Sequence, residues 1–245
     1  MTDVARVRAL EERAMNAWPA LQTVLADGWV MRFSEGYTKR ANSACAFLPH
    51  PKPIAEMAQE IEASYARHGQ PAIMRITPLA HPDDAEWLAE RGFRSIDETL
   101  ILTAPLTDQG GDRRIVVDAR PSEAWLVGFA AGNRYGPSVR PTLEKMLAAI
   151  RPQAGYATLI EAGEARAYGL AVVERGMVGL FDILVESAHR GRGLGRALVS
   201  SLMAWGREQG AAEAYLQVMA TNAPAIALYR SLGFADAYRY AYWLR

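Results

Sequence analysis

The segment Arg190-Gly191-Arg192-Gly193-Leu194-Gly195-Arg196 limits what this chain can fold into more than any other. Before it runs Leu180-Phe181-Asp182-Ile183-Leu184-Val185, an apolar stretch of strand length. After it, Leu194, Leu198, Leu202 and Trp205 recur at helical spacing. A glycine-rich turn from strand into helix aims several backbone N–H groups at one point, and the positive end of the helix dipole adds to their pull. Such a turn can hold a phosphate, and arginines in the same loop strengthen the hold by charge-assisted hydrogen bonds. The alternative is a plain tight turn with solvated arginines. The turn ends in Gly195-Arg196-Ala197 rather than the Gly-Lys-Ser/Thr of a P-loop. It also has Arg196 where a dinucleotide-binding turn needs Gly or Ala.

The polar stretch Thr107 to Asp112, with its Gly110-Gly111 pair, reads as a linker. Beyond it, Arg114 to Asp118 reads as a strand, and Ser122 caps a helix bearing Trp125, Leu126 and Phe129. A second helix follows at Thr142 to Ile150. Three strands come next, over 156–160, 165–173 and 177–185. The glycine loop and its helix lead to a strand at Ala214 to Val218, a helix at Pro224 to Leu232, and a last strand ending at Arg245. The order is β-α-α-β-β-β-α-β-α-β.

Arg190-x-x-Gly193-x-Gly195 matches the Gln/Arg-x-x-Gly-x-Gly/Ala signature of the GCN5-related N-acetyltransferases, and residues 113–245 resemble that family in element order. A second likeness is Asn222 opening a helix with Tyr229 seven residues later, two turns along one face. The resemblance implies an α/β fold with a mixed central sheet flanked by helices, and acetyl-CoA as acetyl donor. It implies that Arg190, Gly191, Arg192, Gly193, Leu194, Gly195 and Arg196 cradle the pyrophosphate. Backbone groups of Ile183, Leu184 and Val185 would then bond the pantetheine and thioester oxygen, Asn222 would contact the pantetheine, and Tyr229 would protonate the leaving thiolate. From the residues alone, Asn222 is equally an N-cap and Tyr229 equally a core aromatic. The family's ribosomal-protein N-terminal enzymes have Glu where this chain has Gln217, which cannot take a proton from an ammonium. Asp182 and Glu186 are the nearest carboxylates, Glu161, Glu174 and Glu213 the next, and no base is assigned.

The first half reads as a shortened copy of the second. An offset of 141 lays residues 68–93 on 209–234 without a gap, so that Gly69, Gly92 and Phe93 meet Gly210, Gly233 and Phe234. The bland alternative is chance likeness of two helix-strand-helix pieces. At the place of the glycine loop stand Pro49-His50-Pro51-Lys52-Pro53-Ile54, whose prolines lack amide donors. The expected organisation is therefore a tandem: a truncated unit without a cofactor loop at 1–108 and a complete catalytic unit at 113–245. Trp18, Trp29, Arg32, Arg40 and Asn42 either wall the acceptor site or form ordinary core.

Net charge is zero over 245 residues, which argues against nucleic acid as partner. The halves differ, however: 11 Lys/Arg against 15 Asp/Glu in 1–111, and 16 against 12 in 112–245. An anionic ligand suits the second half. The single cysteine, Cys45, lies in a strand-like run and fits a buried thiol in a reducing cytoplasm. No apolar run reaches membrane-spanning length and no metal-ligand cluster is expected. The expectation is a cytoplasmic, acetyl-CoA-dependent N-acetyltransferase acting on a small-molecule or peptide primary amine, as monomer or homodimer. The rivals are a non-catalytic acyl-CoA sensor and a nucleotide-binding protein.

Overall fold

The computed structural model describes residues 3–108, 110–133 and 136–245. Helix α1 (Val4–Ala17) starts at Asp3, whose carboxylate accepts from Arg6 N–H, and it buries Val7, Leu10, Ala14 and Ala17. Strands β1 (Gln22–Ala26) and β2 (Trp29–Phe33) form a hairpin closed by Asp27 and Gly28. Both have positive φ, the geometry that matches the twist of paired strands. Then come β3 (Ala44–Ala46), α2 (Ile54–Arg67), β4 (Met74–Ile76), α3 (Asp84–Glu90) and β5 (Arg94–Pro105).

The second half runs β6 (Ile115–Asp118), α4 (Glu123–Gly132), α5 (Arg140–Ala149), β7 (Gln153–Glu161), β8 (Glu164–Glu174), β9 (Met177–Val185), α6 (Leu194–Glu208), β10 (Glu213–Met219), α7 (Ala223–Ser231) and β11 (Ala235–Leu244). The element order read from the sequence holds for 113–245, and Ser122 caps α4 by accepting from Trp125 N–H at 3.1 Å. Of the linker at 107–112, Gln109 lies outside the described residues. Asp112 N–H is fastened to Ser201 Oγ at 2.8 Å.

Among the described residues, eleven strands join one mixed sheet in the order β1-β2-β3-β4-β11-β5-β10-β9-β8-β7-β6. Among the same residues, only β3·β4 and β9·β10 pair in parallel. The last strand of the first half, β5, lies between β10 and β11, while β11 reaches across to pair with β4. The middle of the sheet is therefore built by crossed strands. Alternation along them sorts the core onto two faces. Ile101 and Tyr238, Tyr240 and Tyr242 pack with α1, α4 and α5. Leu100 and Leu102 pack with α6 and α7, and Trp243 with α2 and α3. Cys45 is buried in β3, and burial pushes its thiol up to about 11, as expected of a structural cysteine. Among the described residues no helix is long and apolar enough to cross a membrane.

Candidate functional site

The parallel pair β9·β10 is in register from Glu213↔Met177 to Leu216↔Leu180 and pairs no further. Beyond that point β10 stays on β5, whereas β9 stays on β8. The strands part, and a gap opens between their C-terminal ends, where open α/β sheets bind ligands.

One cleft in this gap has a volume of about 520 Å³. The expected residues Ile183, Leu184, Val185, Arg190, Gly191, Gly193, Leu194, Gly195, Arg196, Asn222 and Tyr229 all line it. Gly191 (φ 75°) and Gly193 (φ 78°) make the left-handed turn that leads into α6, a conformation costly for other residues. The first-turn N–H groups of α6 have no acceptor within the helix, and Leu194, Gly195 and Arg196 of that turn line the cleft. A Cβ on Gly195 would lie 3.5 Å from Leu228 and 3.6 Å from Val185, so its absence keeps the passage between β9 and α7 open. Arg192 is not among the lining residues. It pairs with Glu161 at 2.9 Å, while Arg196 donates to Ser231 Oγ at 2.7 Å and Arg190 Nε donates to the Val185 carbonyl at 3.2 Å. The loop arginines thus hold the turn in place from three sides.

A second cavity of about 460 Å³ meets the first. Ile183, Leu184, Asn222 and Tyr229 line both. Asn222 caps α7 by accepting from Ala225 N–H at 3.3 Å, and the same residue lines both cavities. Tyr229 is buried with its ring 5.9 Å from Phe234, and burial pushes its hydroxyl up to about 12. No hydrogen bond of that hydroxyl occurs among the described residues. It therefore stands protonated where the two cavities join.

The second cavity draws its walls from both halves of the chain. Thr38, Lys39, Arg40, Asp97 and Thr99 come from the first, and Asp182, Gln217, Tyr240 and Tyr242 from the second. Gln217 accepts from the Tyr240 hydroxyl at 2.8 Å. Asp182 sits at a β-bulge, where it and Ile183 oppose Gly169 alone, between the pairs Leu170↔Phe181 and Tyr168↔Leu184. Its φ of 53° is tolerated by aspartate and re-aims the side chain, as bulges beside functional sites do. Its Oδ1 accepts from Arg40 Nη2 at 3.0 Å, while Oδ2 is buried with no partner among the described residues. Burial raises the Asp182 carboxyl above the usual range, and Arg40 opposes the shift without cancelling it.

The polar-aromatic cluster of the first half divides by role. Asn42 accepts from Ser34 and Gly36 N–H and donates to the Tyr37 and Thr38 carbonyls. Trp18 Nε1 donates to Thr38 Oγ1, and Arg32 donates to the Arg40 carbonyl at 2.7 Å. These bonds shape the 34–42 loop that carries Arg40 to the cavity, and Arg40 packs 5.0 Å over the Trp18 ring. Trp29 is a core residue tied to the Lys52 carbonyl. Asp97, Thr99, Tyr240 and Tyr242 escaped the sequence reading. The period-two run Tyr238, Tyr240, Tyr242 is the one signal that marked a shared face.

A mixed sheet that parts over a glycine-rich helix N-terminus, with a buried tyrosine at the join of two cavities, defines an acetyltransferase of the GCN5-related class. The chain belongs to the family described as "Probable histone acetyltransferase Rv0428c C-terminal", which matches residues 4–243. It is 26% identical over 245 residues to the Bacillus subtilis (strain 168) protein named "Uncharacterized N-acetyltransferase YobR", covering 98% of each chain. A GCN5-related N-acetyltransferase from Kribbella flavida has the same fold at TM-score 0.73 and 18% identity, covering 100% of this chain and 96% of its own. A structure titled as a tandem GNAT protein from the clavulanic acid biosynthesis pathway matches at TM-score 0.62 and 15% identity, over 83% of this chain and 74% of its own.

Proposed function

We propose that this protein transfers an acetyl group from acetyl-CoA to a primary amine by direct attack, with both substrates bound at once. The observation that carries the reading is the meeting of two cavities at Tyr229. A phosphorylated, strand-like donor fits the first. The α6 N-terminus and the Gly191–Gly195 turn suit its pyrophosphate, and Asn222 and the free edge of β9 suit its pantetheine amides. Backbone groups of Ile183, Leu184 and Val185 lie where a thioester oxygen can be held, and one such donor contributes about 2.7–4 kcal/mol to a transition state. Tyr229 holds its proton until a thiolate departs beside it. The acceptor occupies the second cavity, whose walls come from both halves of the chain.

The tandem reading, 1–108 beside 113–245, belongs to the same proposal. At the offset of 141, α2, β4, α3 and β5 start within two residues of α6, β10, α7 and β11. The β5·β11 register respects that offset, since Arg94↔Leu244 and Ala235↔Thr103 exchange under it. We read the sheet as two acetyltransferase-like units that have exchanged last strands. The first unit takes no cofactor: its α2 N-terminus is occupied from within, where Asp84 accepts from Ile54 N–H at 2.8 Å and His81 N–H at 3.0 Å. The fold match to a protein titled as a tandem is in keeping with this.

Calorimetry with acetyl-CoA, followed by thiol release across a panel of primary amines, tests the reading. One equivalent of donor per chain and amine-dependent thiol release are expected. Binding without release would establish the sensor, and displacement by ATP as readily as by CoA would establish the nucleotide-binding protein.

A further inference from the structure

Asp182 Oδ2 is a buried carboxylate oxygen with no partner among the described residues, on a side chain that lines the acceptor cavity. We infer that the acceptor enters as an alkylammonium ion and that Asp182, held in place by Arg40 from the first half, takes its proton. The inference rests on the transfer reading above and supplies the base that Gln217 cannot be.

Three observations carry it. First, Arg40 engages only Oδ1, which fixes the carboxylate and leaves the other oxygen for a donor. Second, the bulge at Asp182 adjoins Ile183 and Leu184, which line both cavities, so the carboxylate stands one residue from where the thioester is proposed to lie. Third, the charged walls are already matched. Lys39 pairs with Asp97 at 2.6 Å and Arg40 with Asp182. The other titratable side chains in the cavity are Tyr229, Tyr240 and Tyr242, and their hydroxyls and rings accommodate a cation. A carboxylate or phosphate acceptor would find no unpaired cation among the described lining residues. An ammonium finds an unpaired carboxylate oxygen.

The balance is complete without a further reactant. The ammonium N–H bond breaks as the Asp182 Oδ2–H bond forms, and the freed nitrogen lone pair attacks the thioester carbonyl carbon. As the C–S bond breaks, the sulfur receives the Tyr229 proton. The nitrogen gives up its second proton to restore the tyrosine, directly or through solvent. Asp182 returns its proton to solvent, so each turnover releases one proton. Arg40 acts as a positioning residue. It holds the carboxylate and, being positive, opposes the upward shift that burial imposes on it.

The test compares a lysine-containing peptide with the same peptide carrying an aminooxy group in place of the ε-ammonium. The aminooxy nitrogen is neutral at pH 7 and needs no base before attack. Asp182→Asn is expected to lower kcat/KM for the lysine peptide by about 100-fold, the low end of general-base contributions. The aminooxy peptide is expected to stay within about threefold, with acetyl-CoA affinity unchanged. A second variant, Arg40→Gln, is expected to move the acid limb of the lysine-peptide pH profile upward and to leave the aminooxy profile in place. Equal losses for both peptides in Asp182→Asn, or an unmoved limb in Arg40→Gln, would overturn the inference while the transfer reading stands. Failure of the wild type to bind acetyl-CoA or to acetylate either peptide would instead overturn the transfer reading, and this inference with it.

Discussion

Arg40 Nη2 donates to Asp182 Oδ1 across 3.0 Å, joining residues 142 positions apart in the chain. The pair is mostly buried, with side-chain exposures of 25% and 10%. It ties a loop of the first half to the bulge in β9. Removing the arginine leaves a buried carboxylate uncompensated, whereas removing the carboxylate leaves the more exposed partner. Arg40→Met should therefore destabilise the protein by about 3 kcal/mol near pH 7. The Asp182 carboxyl is already raised by burial, and loss of Arg40 raises it further. A folded-state value above the unfolded one gives stability that is full at low pH and lost as pH rises through the folded value. The deficit of Arg40→Met should thus shrink on acidification. Urea denaturation at pH 7 and pH 5 checks the sign; an equal or larger deficit at pH 5 would contradict it.

Tyr229→Phe removes the proposed acid but keeps the ring against Phe234. Turnover should fall about 100-fold with little change in acetyl-CoA affinity, the pattern of an interaction made only in the transition state. Because its hydroxyl sits at about 12, Tyr229 adds no basic limb to the rate profile within the usual assay range. Steady-state kinetics with calorimetry separate the two effects.

Glu11 on α1 and Arg75 on β4 form an ion pair at 1% and 6% side-chain exposure, and the Tyr238 hydroxyl donates to Glu11. Arg75 also lies 3.7 Å from the centroid of Tyr240, which bonds Gln217 in the second cavity. Glu11→Gln leaves a buried guanidinium without a counter-charge and should cost about 3–5 kcal/mol. The double replacement Glu11→Leu with Arg75→Met should recover most of that loss, because two buried charges disappear together. Chemical denaturation of the three variants measures the recovery.

Asp84 is 2% exposed and accepts backbone N–H bonds from Ile54 at the start of α2 and from His81 just before α3. Asp84→Ala leaves the Ile54 donor buried without an acceptor, at a cost of about 1–3 kcal/mol. The prolines at 49, 51 and 53 still deny an anion its donors, so donor stoichiometry should stay at one per chain. Calorimetry detecting a second equivalent would count against the internal-plug account.

Much of the donor side was legible from local chemistry. The glycine turn, Asn222 as cap and Tyr229 two turns later depend on backbone preference and helical period, which short segments carry by themselves. Elements between 113 and 245 follow from the same periodicities. The acceptor side was not legible in the same way. Asp97 and Thr99 lie on a strand whose neighbours come from the second half, and Arg40 reaches Asp182 only through a loop shaped by Asn42 and Trp18. Asp182 stands out in the sequence only as one of several nearby carboxylates, and the bulge opposite Gly169 that sets its direction is not visible there.

Sequence alone determined the turn at Arg190–Arg196 and the Asn222/Tyr229 spacing, because these are short-range consequences of residue type, and the resemblance they carry implied the GCN5-related class. Only the tertiary structure decided that β5 and β11 cross in one eleven-stranded sheet, that the loop arginines brace the turn, and that Arg40 meets Asp182. The physical reason is range. Backbone conformation and helical period act within a few residues, whereas strand order, burial and an ion pair between distant segments exist only once the whole core has closed around them.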